Sequence, residues 1–258
     1  MVQILARPAS TIVVIRDQNA VLEILMLRRS SAVAAASGAH VFPGGGVDAV
    51  DVDIAERGLV TGLDDGTAAR RLNLDSGAMP YYCAALRELF EEAGLLLAIE
   101  SDGRPLSVEN RRLVAWRSDL ATGRVTWSEL LEREGLRLAV GEMQYLAHWV
   151  TPERRLRRFD TRFFVAAAPA NQEALPDDSE IVEHVWTTVS AALERQDTGD
   201  WSMLVPTVRT LQLLAPQHSV HQVLERAATS TVARIQPREV ERDGRIVVVV
   251  PGEPGYGD

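Results

Sequence analysis

The chain has 258 residues, 46% hydrophobic and 24% charged, which is enough apolar material for a sizeable core and too much for a disordered segment. Its formal net charge of -9 argues against broad nucleic-acid binding through the phosphate backbone, while a metal and a few arginines can still hold a small anion. No apolar run approaches the roughly 20 residues of a membrane span, residues 1–16 lack the order of an export signal, and a lone Cys83 excludes an intrachain disulfide, so the expected compartment is the reducing cytoplasm.

Two short β-branched runs, Ser10 to Arg16 and Val21 to Leu27, flank the turn Asp17-Gln18-Asn19-Ala20 and predict a hairpin. A polar and small-residue loop from Arg28 to Ala39 leads into His40-Val41-Phe42-Pro43-Gly44-Gly45-Gly46. Residues 49–78 are acidic and Gly-rich, with a weak helical pattern only around Thr67 to Leu72, and read as an insertion or long loop. Pro80 to Ala93 is the clearest helix: Pro80 suits the first turn, Gly94 the left-handed closing position, and Ala85, Leu86, Leu89, Phe90 and Ala93 make an apolar face. Helical pattern continues around Val108 to Leu120 and Trp127 to Glu134, within a polar segment at about 107–139. Strands follow at Gln144 to Thr151, Arg158 to Ala167 and Ile181 to Thr187, then helices at Val189 to Gln196 and Val205 to Leu214, and a last strand at Gly244 to Val250. The mixture predicts an α+β fold in a single domain, a mixed β-sheet flanked by helices, with a helical insertion.

The chemistry concentrates on the helix. At about 100° per residue, Glu88, Glu91 and Glu92 fall within about a 100° arc of one face. Three carboxylates so close repel one another, and a hard divalent ion such as Mg²⁺ or Mn²⁺, which prefers oxygen ligands, relieves that repulsion. Arg87, four residues before Glu91, can brace the group. A Glu-rich helix face alone is more often just solvated. The Pro43-Gly44-Gly45-Gly46 turn upstream changes that balance, because backbone without a Cβ can approach a metal or a phosphate.

Together these residues resemble the Nudix hydrolase family. Arg87-Glu88-Leu89-Phe90-Glu91-Glu92-Ala93-Gly94-Leu95 is similar to the second half of the Nudix box, and Gly45 to the glycine that opens it. Residues 46–86 stand between them, 41 where the usual box has 13. The box's middle glutamate is therefore unplaced: Met79 occupies its offset from Arg87, and Glu56 is a stand-in nearby. An interrupted box resembles the animal peroxisomal coenzyme A diphosphatases, and the likeness extends to Gly38-Ala39-His40-Val41-Phe42, to Arg157-Arg158-Phe159-Asp160-Thr161 with Phe163-Phe164, to Glu180-Ile181-Val182 with Trp186, and to Pro251-Gly252-Glu253. Leu27, Arg29-Ser30 and Gly38-x3-Phe42-Pro43-Gly44-Gly45 are similar to a coenzyme A hydrolase motif, with Ala34 where its second arginine stands. The chain closes on Gly-Tyr-Gly-Asp, without a peroxisomal Ser-Lys-Leu.

The resemblance implies an α/β/α sandwich and metal-assisted hydrolysis of a nucleoside diphosphate linked to another group. The leading substrate is coenzyme A or acyl-coenzyme A, cut to 3′,5′-ADP and 4′-phosphopantetheine. ADP-ribose, a dinucleotide or a nucleotide sugar are alternatives, as is a non-catalytic nucleotide sensor. Mg²⁺ or Mn²⁺ is expected on Glu88, Glu91 and Glu92, with the Gly44 or Gly45 carbonyl completing the shell. The general base is a box glutamate or Glu180, with Glu183 less favoured. Arg29 and Arg158 are the expected phosphate-binding arginines, from a basic set that includes Arg28, Arg154, Arg155 and Arg157. His40 and Cys83 are expected to pack rather than ligate. A homodimer is compatible with the sequence, which does not set the oligomeric state.

Overall fold

The computed structural model describes residues 4–31, 37–175, 180–242 and 244–257. Its first strand, β1 (Arg7–Gln18), carries the unbroken run Ile12-Val13-Val14-Ile15, fully buried, which only a strand covered on both faces can accommodate. Asn19 and Ala20, both left-handed at φ 51° and 62°, turn it tightly into β2 (Val21–Arg29), as the hairpin pattern predicts. Two short strands follow, β3 (His40–Val41) on β2 and β4 (Gly44–Gly46) on β1.

The later strands complete one mixed sheet. β7 (Gln144–Val150), β8 (Phe159–Ala167) and β9 (Ile181–Thr187) match the expected positions, and β10 (Arg234–Ile235) forms the edge. The order is β10-β7-β8-β1-β2-β3, with β4 also on β1 and β9 on β2; β8 lies parallel to β1, while β7 is antiparallel to β8. Alternate side chains of β1 and β2 enter two cores. Ile12, Val14, Leu25 and Leu27 pack under α1 (Ala49–Glu56), α2 (Asp65–Leu72), α3 (Met79–Ala93), α4 (Asn110–Ala121) and α5 (Trp127–Glu134). Val13, Ile15, Ile24 and Met26 pack under α6 (Val189–Asp197), α7 (Val205–Leu214) and α8 (Val220–Thr229). The result is the expected α+β sandwich, with a mixed sheet between helical layers.

The residues at 49–78 differ from the long loop their composition suggests. They form α1 and α2, and the chain between them is stitched to a small sheet of β5 (Ala98–Glu100) and β6 (Leu136–Leu138): Leu138 donates to the Leu59 carbonyl and accepts from Thr61, both at 2.9 Å. Near the C-terminus, β11 (Arg238–Arg242) pairs with β12 (Arg245–Val249), so the expected last strand belongs to a separate hairpin and not to the main sheet. No described helix is long and apolar enough to cross a bilayer.

Candidate active site

Helix α3 lies over β1 and β4, and its sequence places it there. Tyr82, Leu86, Leu89 and Phe90 are fully buried, the Ser10 hydroxyl of β1 donates to the Tyr81 carbonyl at 2.7 Å, and Gly94 at φ 70° ends the helix on the Phe90 carbonyl. This brings Glu88 and Glu92 against the three glycines of β4. An added Cβ on Gly45 would fall 2.6 Å from the Glu88 carboxyl carbon, and one on Gly44 2.8 Å from the Thr11 Cα. The turn is glycine because backbone and carboxylate share that space. Gly45→Ala is therefore expected to displace Glu88 and cut turnover at least about 100-fold, while the melting temperature falls only modestly; steady-state kinetics beside a thermal melt check it.

Arg87, 5% exposed, organises the cluster. Its Nε and Nη2 donate to the two carboxylate oxygens of Asp51 at 2.8 and 3.0 Å, Nη2 also reaches the Gly46 carbonyl at 2.8 Å, and Nη1 splits between Glu88 at 2.8 Å and Glu91 at 3.0 Å. Asp51 is fully buried in α1 and ties back to its own helix start, accepting from the Asp48 amide at 2.8 Å. Counted forward from Gly45, Asp51 stands at the very offset that the box's middle glutamate keeps from its opening glycine. Met79, at the offset counted back from Arg87, is buried at the start of α3, and the stand-in Glu56 is exposed at the end of α1. The extra residues thus fall after Asp51, and the fold rejoins the two halves of the box.

Glu92 accepts from the Gly44 amide at 3.0 Å and from Arg29 at 3.2 Å; Arg29 also donates to the Gly44 carbonyl at 3.4 Å and faces Glu180 at 3.8 Å. The remaining oxygen of Glu91 accepts the Trp127 indole N–H at 2.9 Å. Glu180 has 61% of its side chain exposed, and the stretch before it, residues 176–179, lies outside the described residues. So do residues 32–36, and with them Ala34.

Burial pushes the Glu92 carboxyl up to about 8; Arg29 and the Gly44 amide oppose this, while Glu88 and Glu180 add to it. Burial likewise lifts Glu88 to about 7, against the pull of Arg87 and with the push of Glu91 and Asp51. For Arg87, burial works downward, but the Asp51 hydrogen bonds and the charges of Glu88, Asp51 and Glu91 raise it overall, so it stays charged. Both glutamates hold protons in the folded, metal-free protein at pH values where an unfolded chain, with its ordinary value of 4.5, has lost them. Between those limits unfolding releases protons, so rising pH favours unfolding. In EDTA the melting temperature is expected to fall from pH 6 to pH 9, and thermal melts across that range check it; a flat or rising curve would count against the buried, uncompensated carboxylates.

Four acidic side chains, Asp51, Glu88, Glu91 and Glu92, thus meet two arginines, Arg29 and Arg87. The excess of negative charge, the all-oxygen donor set and the glycine backbone against Glu88 fit a hard divalent cation. Among the described residues no three carboxylate, histidine or cysteine side chains converge on one point, and the oxygens of the glutamates are engaged by Arg87, Arg29, the Gly44 amide and Trp127.

Other expected residues lie elsewhere. Arg158 is buried just before β8, its Nε donating to the Thr151 carbonyl at 3.2 Å and its Nη1 to the Ile4 carbonyl, and the structure does not bring it to the carboxylates. Arg154 and Arg157 are exposed, as is Arg155, which pairs with Glu239, and Glu183 pairs with Arg28 at 2.7 Å. His40 is stacked on Trp201 with ring centroids 3.9 Å apart, and burial lowers its pKa, so it packs as a neutral ring. Cys83 is buried.

A family model described as the NUDT19 Nudix domain matches residues 3–213. Curated relatives named acyl-coenzyme A diphosphatase NUDT19 are 30% identical in Gallus gallus and 24% identical in Xenopus laevis, each over 91% of this chain and over 72% and 71% of the relative, respectively. A solved NUDIX hydrolase from Alicyclobacillus acidocaldarius superposes with a TM-score of 0.70 at 28% identity, over 86% of this chain and 96% of that one. A glycine turn set against a helix-borne glutamate cluster, in a chain that the family model matches over most of its length, leads to one conclusion: the chain belongs to the NUDT19 Nudix domain family and is a Nudix hydrolase.

Proposed function

We propose that the chain is a divalent-cation-dependent diphosphatase acting on coenzyme A or acyl-coenzyme A, releasing 3′,5′-ADP and 4′-phosphopantetheine or its acyl form. The observation that carries the reading is the cluster of Glu88, Glu91 and Glu92, with Glu88 and Glu92 against the Gly44–Gly45 backbone, in a chain whose relatives bear the name acyl-coenzyme A diphosphatase. Glu88, Glu91 and Glu92 would hold Mg²⁺ or Mn²⁺, with the Gly44 or Gly45 carbonyl at the same site. The cation supplies neutralisation of the diphosphate and acidification of the attacking water.

The chain's own groups do the rest. Arg87 holds Glu88 and Glu91 in a fixed relation through one guanidinium nitrogen, so their charges stay together when a cation enters. Arg29 gives the buried Glu92 its counter-charge, and with Gly44 fixes that side chain to the turn. Glu180, largely exposed beside Arg29, is the base: it takes the water proton as the oxygen bonds to phosphorus, and the bridging P–O bond breaks with its electron pair leaving on the departing phosphate. Arg29 thus serves the carboxylates first and meets substrate phosphate at the same edge.

A parallel screen at equal enzyme concentration, with Mg²⁺ and with Mn²⁺, tests the substrate. Coenzyme A and acyl-coenzyme A are expected to turn over at least about tenfold faster than ADP-ribose, diadenosine polyphosphates and nucleotide sugars. Cleavage of ADP-ribose without cleavage of coenzyme A would overturn the substrate, and nucleotide binding with no turnover of any compound would overturn the enzyme reading in favour of a sensor.

A further inference from the structure

We propose that Trp127 is a positioning residue for Glu91, and that α1 and α5, joined to one another, form the brace that holds it there. The inference rests on the divalent-cation reading of the glutamate cluster. A buried indole N–H needs an acceptor. Trp127 is 4% exposed, and the acceptor it meets is the Glu91 carboxylate, at 2.9 Å. The other Glu91 oxygen takes Arg87 at 3.0 Å, so two donors from different parts of the chain fix both oxygens and the plane between them. A glutamate side chain that is 38% exposed would otherwise be free to turn through several rotamers.

The indole is itself held. Its ring stands edge-on to Phe90, the neighbour of Glu91, with centroids 5.5 Å apart at 77°. Thr126 caps α5, accepting from the Glu129 amide while Glu129 accepts from the Thr126 amide at 2.8 Å. Ser128, which follows Trp127, donates to Asp53 of α1, and Arg57, capping the end of α1, joins Asp53 at 2.9 Å to Glu132 of α5 at 3.2 Å. The same α1 carries Asp51 to Arg87. The two helices therefore act on the cluster as one body: α1 sets the arginine that holds Glu88 and Glu91, and α5 sets the far oxygen of Glu91.

Trp127→Phe removes the N–H and keeps a ring against Phe90. Mn²⁺ affinity, read from free Mn²⁺ by electron paramagnetic resonance, is expected to weaken about tenfold; kcat falls to a similar extent, KM for substrate stays within about twofold, and the melting temperature in EDTA changes little. In a Glu91→Gln background the same change is expected to add almost nothing to the Mn²⁺ effect, because the interaction it removes acts through that carboxylate. Unchanged Mn²⁺ affinity in Trp127→Phe, or an equal loss with and without Glu91→Gln, overturns the proposal and leaves the cation reading standing. A wild-type protein that binds no Mn²⁺ overturns the cation reading and this inference with it. Should Trp127→Phe fail to fold, Ser128→Ala loosens the brace without touching the indole and is expected to weaken Mn²⁺ binding about two- to threefold; no change there overturns the proposal.

Discussion

Glu92→Gln is expected to lower kcat by at least about 10³, a loss of roughly 4 kcal/mol of transition-state stabilisation, while the metal-free protein is already more stable than wild type at pH 7 and gains a little further by pH 9. The two halves of this result have one cause. Glu92 has only 7% of its side chain exposed, and burial holds its carboxyl at about 8, so at neutral pH without metal it is already close to the neutral amide in charge and shape. The amide keeps an oxygen for the Gly44 N–H. An unfolded wild-type chain, with its ordinary value of 4.5, ionises this group freely at both pH 7 and pH 9 and so gains by unfolding, and the variant does not. What the variant loses is the negative ligand that a cation needs. Kinetics with the metal raised far above its wild-type half-saturation separate weak binding from slow chemistry. More than a tenth of wild-type kcat in the variant, or full turnover of wild type in EDTA, would defeat the mechanism.

Arg87→Met is expected to destabilise the fold by about 3–5 kcal/mol, because the change strips the counter-ion from Asp51, which has no exposed surface, and leaves a buried carboxylate alone. For a chain of this size that corresponds to a melting temperature lower by on the order of 10 °C. Asp51→Asn in the same background should recover part of the loss, since it removes the orphaned charge. Urea unfolding of the two variants tests this. If Arg87→Met is as stable as wild type, the arginine is a solvated active-site residue and not the centre of a buried network.

Most of what positions the site is legible in the sequence. Helix α3 announces itself through Pro80, Gly94 and the spacing of its apolar residues, and the hairpin through two β-branched runs around a turn. Helix α1 does not. Val50, Val52 and Ile54 alternate with Asp51 and Asp53, a period of two in residues that disfavour helices, and Ile54 shares the buried face with an aspartate whose partner is 36 residues away. Asp51 could have been found by counting the box forward from its glycine as well as backward from its arginine. Helix α8 was also open to reading: Ser219 is its cap, and Val220, Val223, Leu224 and Ala227 keep helical spacing. Trp127 was not, because no local rule links a tryptophan on one helix to a glutamate on another. The setting of Arg158 was not legible for a related reason: charge at a turn looks available for a phosphate, and only the fold reveals that this arginine donates to two backbone carbonyls.

The long separation between Asp51 and Arg87 also bears on how the protein reaches its native state. In an uninterrupted box the two partners would lie about eight positions apart; here they are 36 apart, and the chain between them has to fold before they meet. Closing the longer loop costs roughly 1 kcal/mol more in chain entropy, and α1 and α2 must dock before that cost is recovered. In this chain the pair is therefore a tertiary contact that docks α1 onto α3, and whatever breaks it loosens that docking as well as the cluster.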